Sequence, residues 1–446
     1  MARSRSRRRQ LPTEPVRAQI ESLSHDGRGV AHIDGKAVFI QGALPGEEVE
    51  FLYSRRQRRY DEGRAQHVIQ ASPERVEPRC DAFGICGGCS LQHQAPDAQI
   101  QAKQQALLDA FERIGRVRPE TTLSPLVSGS PWGYRRKARL GAKYVIKKEK
   151  VLVGFREKGT GLITDTMRCH VLHPKVGELI GPLAELIGGL SIRDKVPQIE
   201  VAMGDQTCVL IFRLLHPPAP RDIERLRSFG SHHGVTIYLQ EGGPETVRPL
   251  EGGAVDLSYH LPEHGLEIHF LPSDFTQVNS ELNRLMIDRA LDLLAPAADE
   301  RVLDLFCGLG NFTLPLARRA REVIGVEGDA GLVARARDNA RRNGIGNSAY
   351  FTANLYGDLE REPWLRQRFD KVLLDPPRSG ALEVLEHLPP MGAERIVYVS
   401  CYPGTLARDA DLLVNRHGYR LVSAGVMDMF PYTAHVESIA LFEKKE

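Results

Sequence analysis

The stretch that decides the fold is RVLDLFCGLGNF, residues 301 to 312. An apolar run carries Asp304 at its end, and Gly308 and Gly310 occupy the turn that follows. Glycine in such a turn lets the backbone approach a ligand closely. From about residue 275 onward the same texture repeats. EVIGVEGD, AYFTANL, KVLLDPP, RIVYVSC and YRLVSAGVMDMF are short apolar runs ending in Gly, Asp, Asn or Cys, and helical segments such as LVARARDNARRN separate some of them. The alternation predicts a parallel sheet with helices on its faces. In such sheets ligands bind beyond the carboxyl ends of the strands.

The second run ends in Glu327, well placed to accept hydrogen bonds from a ribose diol. The dinucleotide fingerprint is not met, because position 313 is Thr, and no Gly-rich phosphate loop with Lys-Ser/Thr is present. A nucleoside ligand without a pyrophosphate fits better, and S-adenosylmethionine is one. Asn354 and Asp375 stand at later strand ends, and Cys401 in YVSCYPG ends another run just before a Pro-Gly turn. A free cysteine at a strand end is by itself an ordinary packing residue, and Cys208 and Cys307 are read as such.

In front of this sheet the chain changes character twice. Residues 16 to 76 alternate apolar and polar side chains and are punctuated by HDG, IDGK and LPGE, which predicts five or so short strands in a small OB-like barrel. Residues 130 to about 270 read mostly as strands, with helical patterns near 174–189 and 218–230: a mixed α+β domain. Between them lies DAQIQAKQQALLDAFERIG, with Ile100, Leu107, Phe111 and Ile114 at helical spacing, an amphipathic helix with an ordinary core stripe.

The same interval holds EPRCDAFGICGGCSLQHQ, where Cys80, Cys86 and Cys89 fall within ten residues. Clustered thiols of this kind act as ligands rather than as a disulfide framework, for which seven cysteines in 446 residues is an odd and small number. Cys169 in MRCH is the expected fourth ligand. From the residues alone four thiolates suit zinc or a [4Fe–4S] cluster.

A chain of 446 residues exceeds one domain of roughly 100–200 residues, and 42% hydrophobic with 26% charged residues is a globular composition. No apolar stretch follows the arginines of MARSRSRRRQ as a secretory signal requires, and no run reaches the ~18–20 residues of a membrane helix. The expectation is a cytoplasmic protein with no membrane association. The net charge of +2 conceals basic runs: five arginines in the first ten residues, five more in YSRRQRRYDEGR, and eight basic side chains against one acid in residues 134 to 150. Runs like these form an electrostatic footprint for nucleic acid.

The motifs FCGLGNF, LDPPRSG, VSC and DMFPYTAHVE, preceded by FTQVNSELN, occur in the order and spacing of the bacterial RNA uracil-C5 methyltransferases, and the chain resembles that family over nearly its whole length. The N-terminal barrel resembles a TRAM domain, and the cysteine pattern resembles the iron–sulfur site of the ribosomal members. The resemblance implies a multidomain protein: a basic tail (1–11), a TRAM barrel (12–72), a central α+β RNA-binding domain with a [4Fe–4S] cluster on Cys80, Cys86, Cys89 and Cys169 (73–274), and a Rossmann-like class I methyltransferase domain (275–446). The helix at about 97–115 is expected against the catalytic domain. Carried onto matching positions, the resemblance places S-adenosylmethionine against Gln277, Phe306, Asn311, Glu327, Asn354 and Asp375. It makes Cys401 the nucleophile and Glu437 the base.

The chemistry accounts for that pair. Uracil C5 is a poor nucleophile; a thiolate adding to C6 converts the ring into an enolate whose C5 accepts a methyl group, after which a base removes the C5 proton and the cysteine is expelled. Asp375 is expected to orient the uracil edge as well, and Arg378 to stabilise enolate charge. The chain departs from the family at Tyr402, where a small polar residue, often Asn, usually precedes the proline.

The implied partner is 23S ribosomal RNA, at uridine 1939, with position 747 or transfer RNA as alternatives, and the protein is expected to be a monomer with no obligate protein partner. Base flipping is required for a thiolate to reach C6, with Arg55, Arg56, Arg58, Arg59, Arg135, Arg136 and Lys137 on the RNA backbone. Three rivals remain. A radical methylthiotransferase needs Cys-x3-Cys-x2-Cys, which is absent; a cytosine-C5 enzyme places its nucleophile after proline; a non-enzymatic assembly factor leaves Cys401, Glu437 and the cofactor pocket without a purpose.

Overall fold

The computed structural model describes residues 11–445, so the expected basic tail lies almost entirely outside the described residues. The chain forms two compact units: one holds residues up to Gly84 with Gly88–Ala102 and Tyr432–His435, the other Ile85–Gly87, Lys103–Pro431 and the chain from Val436.

In the first unit six strands, β1 (Val16–Gln19), β2 (Ser22–Leu23), β3 (Gly29–Ile33), β4 (Lys36–Gln41), β5 (Glu48–Arg56) and β6 (Tyr60–Gln70), form one sheet in the order β1-β5-β6-β4-β3-β2. The period-2 pattern sends Ala18, Ile20, Ala31, Val38, Ile40, Val49 and Phe51 into one core. Glu47 is fully buried yet satisfied, receiving Arg75, the Leu44 amide and the Ser72 amide.

Helix α1 (Pro96–Ala110) starts in the first unit and from Lys103 belongs to the second. It closes in a π-turn over Phe111–Gly115. Ile100, Leu107 and Phe111 are buried, as the helical stripe predicts, but Ile114 is 51% exposed. The wider turn rotates the stripe, and Gly115 lies so close to the Ala407 carbonyl that a Cβ would stand 2.6 Å from it. Strand β7 (Thr121–Thr122) follows.

The central part of the second unit contains β8 (Lys137–Val145), β9 (Lys150–Gly154), α2 (Pro174–Gly177), α3 (Ile180–Gly189), β10 (Gln198–Met203), β11 (Cys208–Arg213), α4 (Pro220–His233), β12 (Thr236–Gln240) and β13 (Arg248–Pro249). The sheet order is β13-β12-β11-β10-β8-β9, and α3 and α4 bury Leu183, Ile187 and Leu226 in its core. A hairpin, β14 (Leu257–Leu261) and β15 (Leu266–Phe270), leads into the last part.

There the elements run α5 (Ser280–Leu294), β16 (Arg301–Leu305), α6 (Thr313–Ala317), β17 (Glu322–Glu327), α7 (Ala330–Arg342), β18 (Ser348–Thr352), β19 (Lys371–Leu374), α8 (Leu382–Leu385), β20 (Arg395–Ser400), α9 (Pro403–Asn415), β21 (Tyr419–Met427) and β22 (Glu437–Lys444). The sheet order is β18-β17-β16-β19-β20-β22-β21-β7. β18 to β20 pair in parallel, whereas β22 runs antiparallel to both its neighbours. Val302, Leu303, Val372, Leu373, Ile396 and Val397 are wholly buried or nearly so, as strands covered on both faces require. The chain reverses direction across the sheet between β16 and β19, the position where open α/β sheets bind ligands.

Side-chain amides tie the β14–β15 hairpin to this sheet. Asn339 on α7 and Asn343, which caps its end one turn later, each exchange two hydrogen bonds with the edge of β15, at His269 and Glu267. Among the described residues no helix is long and apolar enough to cross a membrane.

Candidate active site

The residues singled out in the sequence gather along one edge of the sheet. Phe306 directly follows β16, Glu327 is the last residue of β17, Asn354 stands two residues past β18, and Asp375 and Cys401 each stand one residue past β19 and β20. Glu437 opens the antiparallel β22, so its start lies at the same edge as the end of β20.

On the nucleoside side, Phe306 takes a left-handed conformation, φ +65°, and Gly308 and Gly310 follow with φ +54° and +89°. Such a φ is uncommon outside glycine and marks a turn held by its surroundings. The holding groups are visible: the amides of Phe306 and Cys307 donate to the Val326 carbonyl at 2.9 and 3.1 Å, and the Gly308 amide to Glu327 Oε2 at 3.1 Å. Glu327 Oε1 accepts from the Asp329 amide at 3.0 Å. Asn311 turns its side chain toward Asn283 and Tyr259, exchanging bonds of 2.9 and 3.0 Å with the former and accepting from the tyrosine hydroxyl at 2.8 Å. Gln277 is half-buried in a segment pinned by the Arg136 amide, which donates to the Val278 carbonyl at 2.9 Å.

Asp304, beneath the turn, is fully buried; burial pushes its carboxyl up to about 8, and only Oδ2 has a partner, Thr313, among the described residues. In the sequence Asp304 marks a strand end and nothing more; its burial is a product of the packing.

On the substrate side, burial raises Asp375 to about 7 and Glu437 to about 8, the second also through the charge of Asp375. Cys401 is half-buried, its thiol pushed up to about 11 by burial and then by Glu437 and Asp375. Arg378 opposes the shift at both Cys401 and Glu437. A thiol, two carboxylates and a guanidinium thus share one electrostatic environment, the arrangement that marks sites of proton transfer and nucleophilic attack. The thiol is at rest neutral, not the depressed-pKa cysteine that a preformed thiolate would be. Tyr402 is 43% exposed in extended backbone, φ −148°, and opens α9. Cys208 and Cys307 are buried packing residues.

Four of the expected RNA contacts have partners within the protein: Arg56 pairs with Asp61 at 3.3 Å and Arg135 Nε donates to the Lys137 carbonyl at 3.0 Å. Arg136 pairs with Asp205 at 2.5 Å, and Lys137 reaches the carbonyls of Pro272 and Asp274. The Lys137 side chain ties the central sheet to the segment leading to Gln277 and the Arg136 side chain is held by the β10–β11 turn, so neither is part of an open basic surface. Arg55, Arg56, Arg58 and Arg59 are exposed, as are Arg139, Lys143, Lys147, Lys148 and Lys150.

Of the four expected cluster ligands, Cys80, Cys86 and Cys169 are half-buried and Cys89 is buried. In the first unit the Cys80 amide donates to Gln92 at 3.2 Å. In the second, Cys86 bridges to Glu157, and the Cys169 amide donates to the Gly177 carbonyl at 3.0 Å. Among the described residues no group of three or more His, Cys, Asp or Glu side chains forms a metal site.

Comparison with known proteins follows this geometry. Residues 251–445 match the family described as tRNA (Uracil-5-)-methyltransferase, and residues 10–63 match the TRAM domain. A 23S rRNA (uracil(1939)-C(5))-methyltransferase RlmD of Stenotrophomonas maltophilia (strain K279a) is 56% identical over 448 aligned residues that span the whole of both chains. The protein of the same description in Alkalilimnicola ehrlichii is 54% identical over 98% of this chain and 99% of its own. Among solved structures, Pyrococcus abyssi tRNA (uracil-54, C5)-methyltransferase in complex with S-adenosyl-L-homocysteine aligns with a TM-score of 0.72 at 24% identity, covering 96% of this chain and 99% of that one, a likeness of fold. The N-terminal six-stranded unit holds a TRAM domain and the C-terminal sheet has a class I methyltransferase fold. With relatives more than half identical along its entire length, the chain belongs to the RNA uracil-C5 methyltransferase family.

Proposed function

We propose that this protein transfers a methyl group from S-adenosylmethionine to C5 of a specific uridine in 23S rRNA, at the position its full-length relatives are named for, uracil 1939. The observation that carries the reading is the adjacency of Cys401 and Glu437 at the ends of paired strands, next to Asp375 and the nucleoside-side turns.

The glycine turn fits the methyl donor: its backbone bends away at Gly308 and Gly310, and Glu327 is fixed at a strand end where a ribose diol binds. Phe306, Gln277, Asn311, Asn354 and Asp375 complete the proposed pocket. When bound, S-adenosylmethionine supplies an electrophilic methyl group. Cys401 gives up its proton to solvent and adds to uracil C6, and the ring becomes an enolate. C5 takes the methyl group. Ionised Glu437 removes the C5 proton, and the electron pair returned to the ring expels the thiolate. Arg378 favours the ionised forms of both Cys401 and Glu437, which is the direction this sequence of events needs.

The domain division at 12–72, 73–274 and 275–446 belongs to the same reading, as does a [4Fe–4S] cluster on Cys80, Cys86, Cys89 and Cys169. The donor chemistry supports the cluster: four cysteine side chains, three of them in a Cys-x5-Cys-x2-Cys run. Gly177 supports it too, because a Cβ there would collide with the Cys169 carbonyl, so the backbone at this thiol is closely fixed. The reaction needs no electron, and the cluster's role is structural or that of positioning RNA. Iron and acid-labile sulfide in anaerobically purified protein, lost in Cys86→Ala, is the expected result; zinc in their place overturns the cluster. The site of action is the cytoplasm, where ribosomal RNA is modified.

The reading is tested by methyl transfer from labelled S-adenosylmethionine to 23S rRNA transcript and to bulk tRNA, with nucleoside mass spectrometry of the product. Label in 5-methyluridine of the 23S transcript is expected; label confined to tRNA overturns the substrate and keeps the chemistry.

A further inference from the structure

Asn354 stands out in the sequence, but the residue two positions on makes the more informative contacts. Asn354 Oδ1 accepts from the Tyr356 amide at 3.2 Å, which fixes where the tyrosine leaves the β18 turn. The Tyr356 ring lies 5.8 Å from that of Phe306, the strained residue of the nucleoside side. Its hydroxyl reaches the other side of the cleft, donating to the Gly380 carbonyl at 2.9 Å and accepting from Ser379 Oγ at 2.8 Å.

The turn it reaches is the one that carries Arg378, and three further fastenings come from α9, the helix that follows Cys401. Thr405 Oγ1 donates to the Arg378 carbonyl at 3.2 Å, Arg408 Nη2 to the Ser379 carbonyl at 2.9 Å, and the Ala381 amide donates to Asp409 Oδ2 at 2.7 Å. Gly380 has φ +82°, and a Cβ there would sit 2.5 Å from Arg408 and 2.6 Å from Asp409, so the turn has one way to pack. Tyr356 thus ties this turn to the nucleoside side.

We propose that Tyr356 is a positioning residue that couples the two halves of the site, its ring seated on Phe306 and its hydroxyl holding the turn that presents Arg378 to Cys401 and Glu437. The inference rests on the reading of those two residues as the reacting pair. Arg378 acts on the thiol at a distance, so a loosened turn weakens a charge effect without removing any group that touches substrate. The hydroxyl, not the ring, is the coupling element, and Tyr356→Phe separates them.

The test is the pH dependence of Cys401 alkylation by iodoacetamide in the full-length protein, followed at the Cys401 peptide by mass spectrometry. Tyr356→Phe is expected to raise the midpoint by about half a pH unit, and to raise it no further in an Arg378→Gln background, since coupled residues are non-additive. S-adenosylhomocysteine affinity stays within about threefold, because the ring contact is kept. An unchanged midpoint, or an equal rise in both backgrounds, overturns the proposal. Ser379→Ala removes only one partner of the hydroxyl and guards against a folding defect: a smaller rise in the same direction supports the coupling, and none counts against it. Methyl transfer that survives Cys401→Ala overturns the underlying reading, whatever the thiol titration shows.

Discussion

Ser438 donates its hydroxyl to the carbonyl of Ser400 at 3.1 Å, on the last paired rung of β20 and β22. The antiparallel register puts Cys401 and Glu437 on the next rung, side by side beyond the ladder. The proposed nucleophile and base, from segments 36 residues apart, are thereby set by backbone pairing and not by a flexible loop, the support that a site needing sub-ångström placement requires.

That placement separates the two halves of the reaction. Glu437→Gln keeps the shape of the side chain and removes the base, so addition and methylation proceed while release stalls. Turnover is expected to fall by about 10²–10⁴-fold, with a denaturation-resistant protein–RNA adduct accumulating on a gel. Cys401→Ala is expected to be equally inactive and to form no adduct.

The buried carboxylates make the site costly at neutral pH. Glu437 and Asp375 titrate near 8 and 7 in the folded protein and near 4 when unfolded. Between those values the folded state holds protons that the unfolded state has shed, so stability falls as pH rises from about 4 to about 8. Glu437→Gln removes one such group. It is expected to leave the protein unchanged at pH 4 and to stabilise it at pH 8, by on the order of 1–3 kcal/mol, as read from denaturant midpoints. Activity runs the other way, rising over pH 7–9 as Glu437 ionises and rising further above that range as the Cys401 thiol, pushed up to about 11, begins to ionise.

Lys103 and Asp428 form a buried pair at 2.6 Å, and Lys103 also donates to the Phe430 carbonyl at 3.1 Å. Burial lowers the Lys103 pKa, with Asp428 acting against it. The pair fastens α1 to the segment that runs on toward Glu437. Lys103→Met leaves a buried carboxylate unpaired and is expected to cost about 3–5 kcal/mol; Lys103→Met with Asp428→Leu is expected to recover most of it. Thermal denaturation of the three proteins distinguishes this from a surface ion pair, whose removal would cost about 0–1 kcal/mol.

The basic runs divide into two kinds with different expected behaviour. Alanine at Arg55, Arg56, Arg58 and Arg59 is expected to weaken RNA binding. The slope of log K against log salt should become shallower by about 0.7 for each phosphate of single-stranded RNA that is no longer neutralised. Lys137→Ala is expected to lower the melting temperature, because it severs the ties to the Pro272 and Asp274 carbonyls, and to leave the salt slope unchanged.

These cases show where the sequence is readable. Glu327, Asn354, Asp375 and Cys401 each stand within two residues of the end of an apolar run, and runs of that length declare themselves as strands. The motif DMFPYTAHVE points to Glu437 only through resemblance, since nothing local marks a glutamate as a base. Tyr356, Asp409 and the Lys103–Asp428 pair depend on packing between segments distant in the chain and leave no local pattern. Arg136 and Lys137 look like surface charge because a run of like charge does not reveal that Asp205 and the 272–274 carbonyls come to meet it. Ile114 looks like core because helical spacing does not foresee a π-turn.

The central claim is that Cys401 forms the covalent bond to uracil and Glu437 completes the reaction by removing the C5 proton. It is tested most directly with 23S rRNA transcript containing 5-fluorouridine, whose C5 fluorine cannot leave as a proton does, incubated with the protein and S-adenosylmethionine and digested for peptide mass spectrometry. The account predicts one modified peptide, that of Cys401, bearing the nucleotide and one added methyl group. Adduct at another cysteine, or no adduct from a protein that methylates the unsubstituted transcript, would contradict it.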